Sequence, residues 1–148
     1  MPEYNNLPEI TLKYKAGNTK KVKITSSEAA VKLLKELHDS DTMEIFESVV
    51  VVFLNNAGLS IGWTKHSSGG SASAIVDVKL ILLTALKCGA HNIIVSHNHP
   101  SGNLKPSQSD RTFSTNLNRA CNAVEMKLFD SIIITTDGSF SFADEGLI

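Results

Sequence analysis

The sequence has little of what marks several large classes of protein. It holds two cysteines in 148 residues, 6% aromatic residues, and no apolar run longer than Val49 to Leu54. Two cysteines are too few for a disulfide scaffold, and this run is far shorter than the about 20 residues of a membrane-spanning helix. Neither sign of charge is in excess, since 14 Lys and Arg residues face 15 Asp and Glu residues. This balance argues against a protein that binds nucleic acid mainly by neutralising phosphates.

What is present is the composition of one globular domain. Hydrophobic residues make up 42% of the chain and charged residues 20%. A chain of this length can bury a core without disulfides or a folding metal, so a bound metal is expected to serve function. The first six residues lack the basic and apolar regions of a signal peptide. We therefore expect a cytoplasmic protein whose cysteines, Cys88 and Cys121, are reduced.

The hydrophobic pattern changes repeatedly between the periods of strands and helices. The predicted elements are a hairpin over 9–15 and 21–24, a helix over 28–37, a central strand over 49–54 with an antiparallel partner at 61–64, a loop over 67–73, a helix over 76–87, a strand over 92–96, a helix over 108–123, a strand over 131–136 and a hairpin into 139–142. Buried strands between helices predict an α/β fold, a mixed sheet in three α/β/α layers. Residues 1–43 are expected to join residues 44–148 in one compact unit.

The residues that carry chemistry follow the predicted strand over 92–96. His97 and His99 leave that strand two residues apart, which places both imidazoles on one face. A stiff loop with proline and glycine then leads to Asp110, which can return to the same strand end as a third ligand. Two imidazoles and one carboxylate, with a fourth position left to water, match a catalytic zinc site rather than a structural one.

Each of these residues also has a purely structural interpretation. Ser107 and Asp110 are three residues apart, close to a capping box at a helix start, and a histidine at a strand end is usually solvated or hydrogen-bonded. The joint pattern favours the metal site, and capping is compatible with metal binding. Two acids, Glu44 and Glu47, precede the central strand, and composition alone predicts that both are solvated.

The spacing of these residues resembles a known motif. His97-x-His99, then seven residues, then Ser107-x-x-Asp110 resembles the JAMM (JAB1/MPN+) metalloprotease motif, and residues 97–102, HNHPSG, are similar to its RadC branch. The resemblance runs from about Glu44 to the C-terminus. It implies a JAB1/MPN fold related to cytidine deaminases, with one zinc ion (Zn2+) per chain held by His97, His99 and Asp110. It also implies that Ser107 stabilises the oxyanion and that a glutamate before the central strand moves the proton of the attacking water, a role for which we favour Glu47 over Glu44.

The function implied by the resemblance is a zinc-dependent metallopeptidase that acts on a peptide or isopeptide bond of a peptide or protein substrate. Two alternatives stay open: an accessory protein of DNA repair or mobile elements that acts on or near DNA, and a non-catalytic MPN scaffold. The near-zero net charge weakens the DNA-related alternative. The residues before Glu44 weaken it further, because they do not resemble the helix-hairpin-helix region of RadC proteins. RadC-like chains usually have Asp-His before the predicted strand over 131–136. This chain has Asp130-Ser131 there, so any role of the histidine is absent.

Overall fold

A computed structural model describes residues 7–67 and 76–148. Its helices are α1 (Ser27–Leu37), α2 (Val78–Cys88) and α3 (Gln108–Ala123). Its strands are β1 (Ser48–Leu54), β2 (Ser60–Ser67), β3 (Asn92–Asn98), β4 (Lys127–Ile134) and β5 (Ser139–Ser141). The three predicted helices and the strands from residue 48 onward are confirmed within a few residues. The loop predicted over 67–73 lies, apart from its first residue, outside the described residues.

The five strands form one mixed sheet in the order β2, β1, β3, β4, β5. β1 is antiparallel to both β2 and β3, β4 is parallel to β3, and β5 is antiparallel to β4. α3 supplies the crossover that two parallel strands need. Val49 of β1 pairs with His97 of β3, so the start of β1 lies beside the end of β3.

Helices cover both faces of this sheet, because successive side chains of a strand point to opposite faces. One core joins the odd-numbered residues of β1 to α2 and α3, and it includes Val49, Val51, Phe53, Ile81, Ala85, Leu117 and Cys121. The other joins the even-numbered residues to α1, and it includes Val50, Val52, Leu54, Ala30 and Leu34. The predicted α/β/α layering is therefore confirmed, with α1 on one face and α2 and α3 on the other.

Both cysteines have the predicted state. Cys88 in α2 and Cys121 in α3 are free thiols. Burial raises the pKa of the Cys121 thiol to about 11, so this residue is a packing group rather than a nucleophile. Among the described residues, no helix combines the length and the apolar character that a membrane span requires.

The predicted N-terminal hairpin is wrong. Residues 9–15 and 21–24 form no strand pair, and the second segment binds the turn before β2 instead. The Ile24 amide donates to the Gly58 carbonyl at 2.9 Å, and the Ser60 amide donates to the Val22 carbonyl at 2.8 Å. A two-stranded hairpin is marginal by itself, so the backbone groups of residues 22–24 pair with those that the larger sheet offers.

β4 begins earlier than predicted. It starts at Lys127, so Asp130 and Ser131 lie inside this strand and not before it. The strand tolerates a buried carboxylate because Asp130 accepts hydrogen bonds from the Ser131 amide at 2.7 Å, the Ala143 amide at 3.0 Å and the Ser141 hydroxyl. Burial still raises the pKa of Asp130. This residue ties the chain after β5 to the sheet.

Candidate metal centre

The candidate metal centre lies where β3 ends and α3 begins. His97 is in β3, two residues after Val95, which packs against α2 and α3. His99 directly follows β3, and Asp110 is in the first turn of α3. The strand therefore delivers both imidazoles, and the helix delivers the carboxylate to the same point.

The candidate ligand atoms converge. His97 Nε2 lies 2.9 Å from His99 Nε2. Asp110 Oδ1 lies 3.1 Å from His97 Nε2, and Asp110 Oδ2 lies 3.3 Å from His99 Nε2. One ligand atom from each of the three residues falls within 4.8 Å of the other two. The structure thus brings together the three residues that the sequence predicts as ligands, and their binding of a metal stays a prediction.

A backbone carbonyl orients His99. Its Nδ1 lies 2.6 Å from the Asn103 carbonyl oxygen, which can only accept a hydrogen bond, so Nδ1 carries the proton and donates it. In the neutral ring, Nε2 then holds the lone pair, and this is the nitrogen that faces His97 and Asp110. Metal-ligating histidines usually have their second ring nitrogen held in this way.

Asp110 is a helix cap and a candidate ligand at once. The Ser107 amide donates to Asp110 Oδ2 at 2.8 Å, and the Asp110 amide donates to Ser107 Oγ at 3.1 Å, which completes a capping box. Burial by itself would raise the pKa of the Asp110 carboxyl, but the imidazoles of His97 and His99 beside it hold this pKa well below its usual range. The same carboxylate raises the pKa of His99. The structural interpretation of Ser107 and Asp110 is therefore confirmed, and it leaves the side chain of Asp110 facing the histidines.

Glu47 faces the same cluster. It directly precedes β1, whose Val49 pairs with His97, and it lines the same groove as His97 and Asp110. The residue is half-buried, and its charge contributes to the raised pKa of His99. Glu44 is instead exposed and accepts a hydrogen bond from Thr136 Oγ1 at 3.1 Å. The geometry favours Glu47 over Glu44 as the acid beside the cluster, while its catalytic role stays a prediction.

A groove of about 540 Å³ opens beside the cluster. Its apolar lining comes from Val49, Val76, Val78, Val95 and Phe113, and its uncharged polar lining comes from Gln108, Ser109, Thr112 and Asn116. The charged or titratable lining residues are Glu47, Asp77, His97 and Asp110, so no Lys or Arg among the described residues lines it. Such a groove suits an uncharged or basic segment rather than an anion.

Ser107 lies next to the cluster in the chain but does not line the groove. Ser107 is exposed at the start of α3 and is connected to the cluster through Asp110 rather than through the groove, whose described lining does not include it. The capping bond uses an acceptor site of the Ser107 hydroxyl, so its proton is available to another acceptor.

Ser131 is buried in β4, 2.7 Å from Ser114 Oγ of α3. The serine at position 131 therefore joins the sheet to α3.

Asn98, between the two histidines, is a site residue that the sequence motif did not single out. It is buried, and its Oδ1 accepts a hydrogen bond from the Ser48 amide at 2.7 Å. Its Nδ2 donates to the carbonyls of Met43 at 2.8 Å and Phe46 at 2.9 Å. Residues 46 and 48 flank Glu47, so Asn98 fixes the segment of the acid to the strand of the histidines. Strand alternation could have indicated that this amide points into the opposite layer and needs partners there.

Replacing Asn98 by alanine should lower the free energy of unfolding by about 3 kcal/mol, because it leaves the buried Ser48 amide and the Met43 and Phe46 carbonyls without their partner. Urea unfolding of wild type and N98A measures this. The matched control is N122A, which truncates an exposed asparagine of α3 and should change stability by less than about 0.5 kcal/mol. Equal stabilities for the two variants would contradict the role of Asn98.

His38 is the second residue that the motif did not indicate. It is buried after α1, with Nε2 2.9 Å from Ser96 Oγ and Nδ1 3.4 Å from Ser48 Oγ. Burial, with smaller contributions from His97 and Lys65, lowers the pKa of His38 to about 4. The unfolded chain has a histidine pKa of about 6.5 and so binds more protons than the folded chain below that pH. The stability contributed by neutral His38 is therefore complete above about pH 6.5 and is lost as the pH falls to about 4.

We expect this residue to make the protein acid-sensitive. Between about pH 7 and about pH 4.5, His38 should account for a loss of about 2 kcal/mol in the free energy of unfolding. Denaturant unfolding of wild type and H38Q at both pH values measures its share. The variant should be less stable near pH 7 and should lose less stability on acidification. The same pH dependence in both proteins would show that His38 does not titrate in this way.

Comparison with known proteins places most of the chain in one family. Residues 24–147 match the family model described as a RadC-like JAB domain. A UPF0758 protein of Flavobacterium johnsoniae is 39% identical over 125 residues, which are 84% of this chain and 53% of the relative. A UPF0758 protein of Aquifex aeolicus is 30% identical over 142 residues, 96% of this chain and 59% of the relative. The chain therefore spans about half the length of these curated relatives.

Proposed function

The chain belongs to the RadC-like JAB domain family, and from this premise we propose that it is a zinc-dependent hydrolase that cleaves peptide or isopeptide bonds. The observation that carries the proposal is the convergence of His97, His99 and Asp110, whose ligand atoms lie within 4.8 Å of one another. A capping box and a strand end would explain these residues one by one. They do not explain why all three side chains meet.

The donor set fits zinc. Two imidazole nitrogens and one carboxylate are the ligands of many catalytic zinc sites, in which a fourth position stays open to water. The tautomer of His99 supports the same assignment, because its proton is on Nδ1 and its Nε2 lone pair faces the other two groups. We propose one ion per chain, held by His97, His99 and Asp110. A zinc ion held there would supply a Lewis acid that can polarise a carbonyl and activate water at neutral pH.

Glu47 is the proposed proton carrier. Its position in the lining of the groove, together with His97 and Asp110, supports this role, because water would attack beside the metal ligands. Glu47 takes one proton from the water as the water oxygen adds to the carbonyl carbon. When the C–N bond breaks, Glu47 gives this proton to the leaving nitrogen. The products are a carboxylate and an amine, which together contain the atoms of the substrate and one water.

Ser107 is the proposed oxyanion donor. Its hydroxyl accepts the capping bond from the Asp110 amide and retains a proton that can be donated to a developing oxyanion. The capping box holds this hydroxyl close to the carboxylate of Asp110. Loss of one such donor typically costs about 10²–10³ in rate.

The groove supports a polypeptide substrate over a nucleic acid at this site. The described lining contains three acids and no Lys or Arg, so a phosphate backbone would meet like charge. Residues 68–75, which precede the groove residue Val76, contain no Lys or Arg either. The apolar and amide-bearing walls suit an extended peptide, whose backbone can hydrogen-bond and whose apolar side chains can be buried.

The test combines metal analysis with a search for cleavage. Purified chain is analysed for zinc, stripped with a chelator, reloaded with one equivalent of zinc, and incubated with a complex peptide mixture whose products are identified by mass spectrometry. We expect about one zinc per chain, and cleavage that disappears on stripping and returns on reloading. No stoichiometric zinc, or cleavage that survives stripping, would contradict the proposal. Stoichiometric zinc with no cleavage of any peptide would favour a non-catalytic scaffold.

A further inference from the structure

The near-zero net charge hides an uneven distribution of charge. Five of the 14 Lys and Arg residues lie between residues 10 and 27, a stretch without Asp or Glu, namely Lys13, Lys15, Lys20, Lys21 and Lys23. This basic segment, residues 10–27 up to the start of α1, lies beside β2, an edge strand of the sheet. The Tyr14 hydroxyl donates to the Ile61 carbonyl at 3.0 Å, and Lys23 forms a β-bridge with Leu59. The positive charge is therefore held against one edge of the fold.

Two cavities lie along this edge, one of about 450 Å³ and one of about 160 Å³. Tyr14 and Trp63 line both of these edge cavities. Four lysines also line them: Lys20 and Lys21 in the larger, Lys13 and Lys87 in the smaller. Neither edge cavity has an Asp or Glu in its described lining, which is the reverse of the groove at the metal centre.

Tyr14 and Trp63 are both large aromatic residues that remain partly exposed. The two residues are 47% and 49% exposed, although burying rings of this size would stabilise the fold. Single exposed aromatics are common on protein surfaces and need no explanation. Here two of them share recessed cavities with four lysines and with no described acid. Aromatic faces within a positive groove are the pattern of single-stranded nucleic acid binding, in which bases stack and phosphates are neutralised.

We propose that the edge cavities bind single-stranded nucleic acid, with bases stacked on Trp63 and Tyr14 and phosphates contacted by the lysines. A single strand is favoured over a duplex, because only unstacked bases can enter recesses lined by aromatic rings. It is also favoured over an acidic polypeptide. Carboxylates would pair with the lysines, but they would not stack on the rings of Tyr14 and Trp63. The site lies on residues other than the metal ligands and does not depend on the proposed hydrolase activity.

The single tryptophan of the chain is a built-in reporter, since Trp63 has no other tryptophan to mask it. The probe is an oligodeoxythymidylate of about 15 nucleotides, followed by the polarisation of a fluorescein label and, unlabelled, by tryptophan emission. We expect binding at low salt with quenching of Trp63. If all four cavity lysines contact phosphates, log K should fall with log salt with a slope of about −3, since each contact on a single strand contributes about 0.7.

The variants separate stacking from charge. W63F should keep binding, whereas W63A should weaken it by about 5-fold or more, because a stacking ring is lost. The double variant K20Q/K21Q should reduce the salt slope by about 1.4, which is the share of two phosphate contacts. The matched control K35Q/K127Q removes the same charge from lysines outside both cavities and should retain the slope and the quenching.

Three results would overturn the proposal. The first is no binding of the oligonucleotide at low salt. The second is equal binding of polyglutamate, which would assign the surface to acidic polypeptides. The third is equal binding of duplex DNA without quenching of Trp63, which would leave phosphate attraction without stacking. W63F protects the test against a folding defect, because it retains an aromatic ring and should bind the labelled oligonucleotide in the polarisation assay, although it has no tryptophan emission to quench.

Discussion

Replacing Glu47 by glutamine should leave zinc binding intact and reduce hydrolysis by about 10²–10⁴-fold. Glu47 is not one of the three residues whose ligand atoms converge, so the metal content should stay at wild-type level. The amide of glutamine has nearly the shape of the carboxylate but cannot take a proton from water. The measurement is kcat on a peptide that wild type cleaves, together with the zinc content of the same sample.

Glu44 provides the matched control for this prediction. It precedes the same strand and is exposed, with its carboxylate hydrogen-bonded to Thr136 rather than beside the groove. E44Q should therefore retain activity within a few-fold of wild type. An E47Q variant as active as wild type would contradict the assignment of the acid, and loss of activity in E44Q alone would move that role to Glu44.

Replacing Asp110 by asparagine should weaken zinc binding by more than about 100-fold while leaving the fold almost as stable. Loss of a group that only supports a ligand already costs about 10–100-fold in metal affinity, and Asp110 is proposed as a ligand itself. The amide oxygen of asparagine can still accept the hydrogen bond from the Ser107 amide, so the capping box should persist with a loss of about 1 kcal/mol or less. Competition with a zinc chelator measures affinity, and denaturant unfolding measures stability.

Asp77 is the matched control for Asp110. It also lines the groove and also caps a helix, since its side chain accepts a hydrogen bond from the Lys79 amide at 2.9 Å at the start of α2. D77N removes the same charge from the same groove but should retain zinc affinity. If D110N binds zinc as tightly as D77N, then Asp110 is a capping residue and the ligand assignment is wrong.

The parts of the fold that sequence predicts well have strong local causes. After Ser48, β1 is an unbroken run of six apolar, mostly β-branched residues, and all seven residues of the strand are buried. α3 begins at the position expected from its Ser107 cap, and α2 ends directly before its C-cap Gly89, whose φ of 70° favours glycine. In each case the residues that define the element are adjacent to it, so no distant contact is needed to identify it.

The N-terminal segment shows where local patterns fail. Residues 9–15 and 21–24 have the alternation and the turn of a hairpin, but residues 22–24 pair with the turn between β1 and β2. Gly58 in that turn approaches the segment closely, and a side-chain carbon there would lie 2.9 Å from the Ile24 carbonyl oxygen. Local alternation predicts an extended segment, but its partner depends on which backbone groups the folded sheet leaves open.

In the candidate site, too, the residues that are close together in the chain could be predicted, and those that depend on distant partners could not. His97, His99 and Asp110 lie within 14 residues of one another and form a recognisable spacing. Asn98 and His38 depend instead on partners far away in the chain, since Asn98 binds the segment around Glu47 and His38 binds Ser96. Their partners are defined only after β1, β3 and α1 are assembled.

The net charge likewise does not reveal the basic edge beside β2, because a sum over the chain does not say where the lysines lie.

The most direct test of the metal centre is a crystal structure of the zinc-loaded chain with anomalous data collected on both sides of the zinc absorption edge. We predict one zinc peak per chain, about 2.0–2.2 Å from His97 Nε2, His99 Nε2 and a carboxylate oxygen of Asp110. The Glu47 carboxylate should face the fourth position. No peak at this point, or a peak elsewhere with Asp110 serving only as the cap of α3, would contradict the assignment.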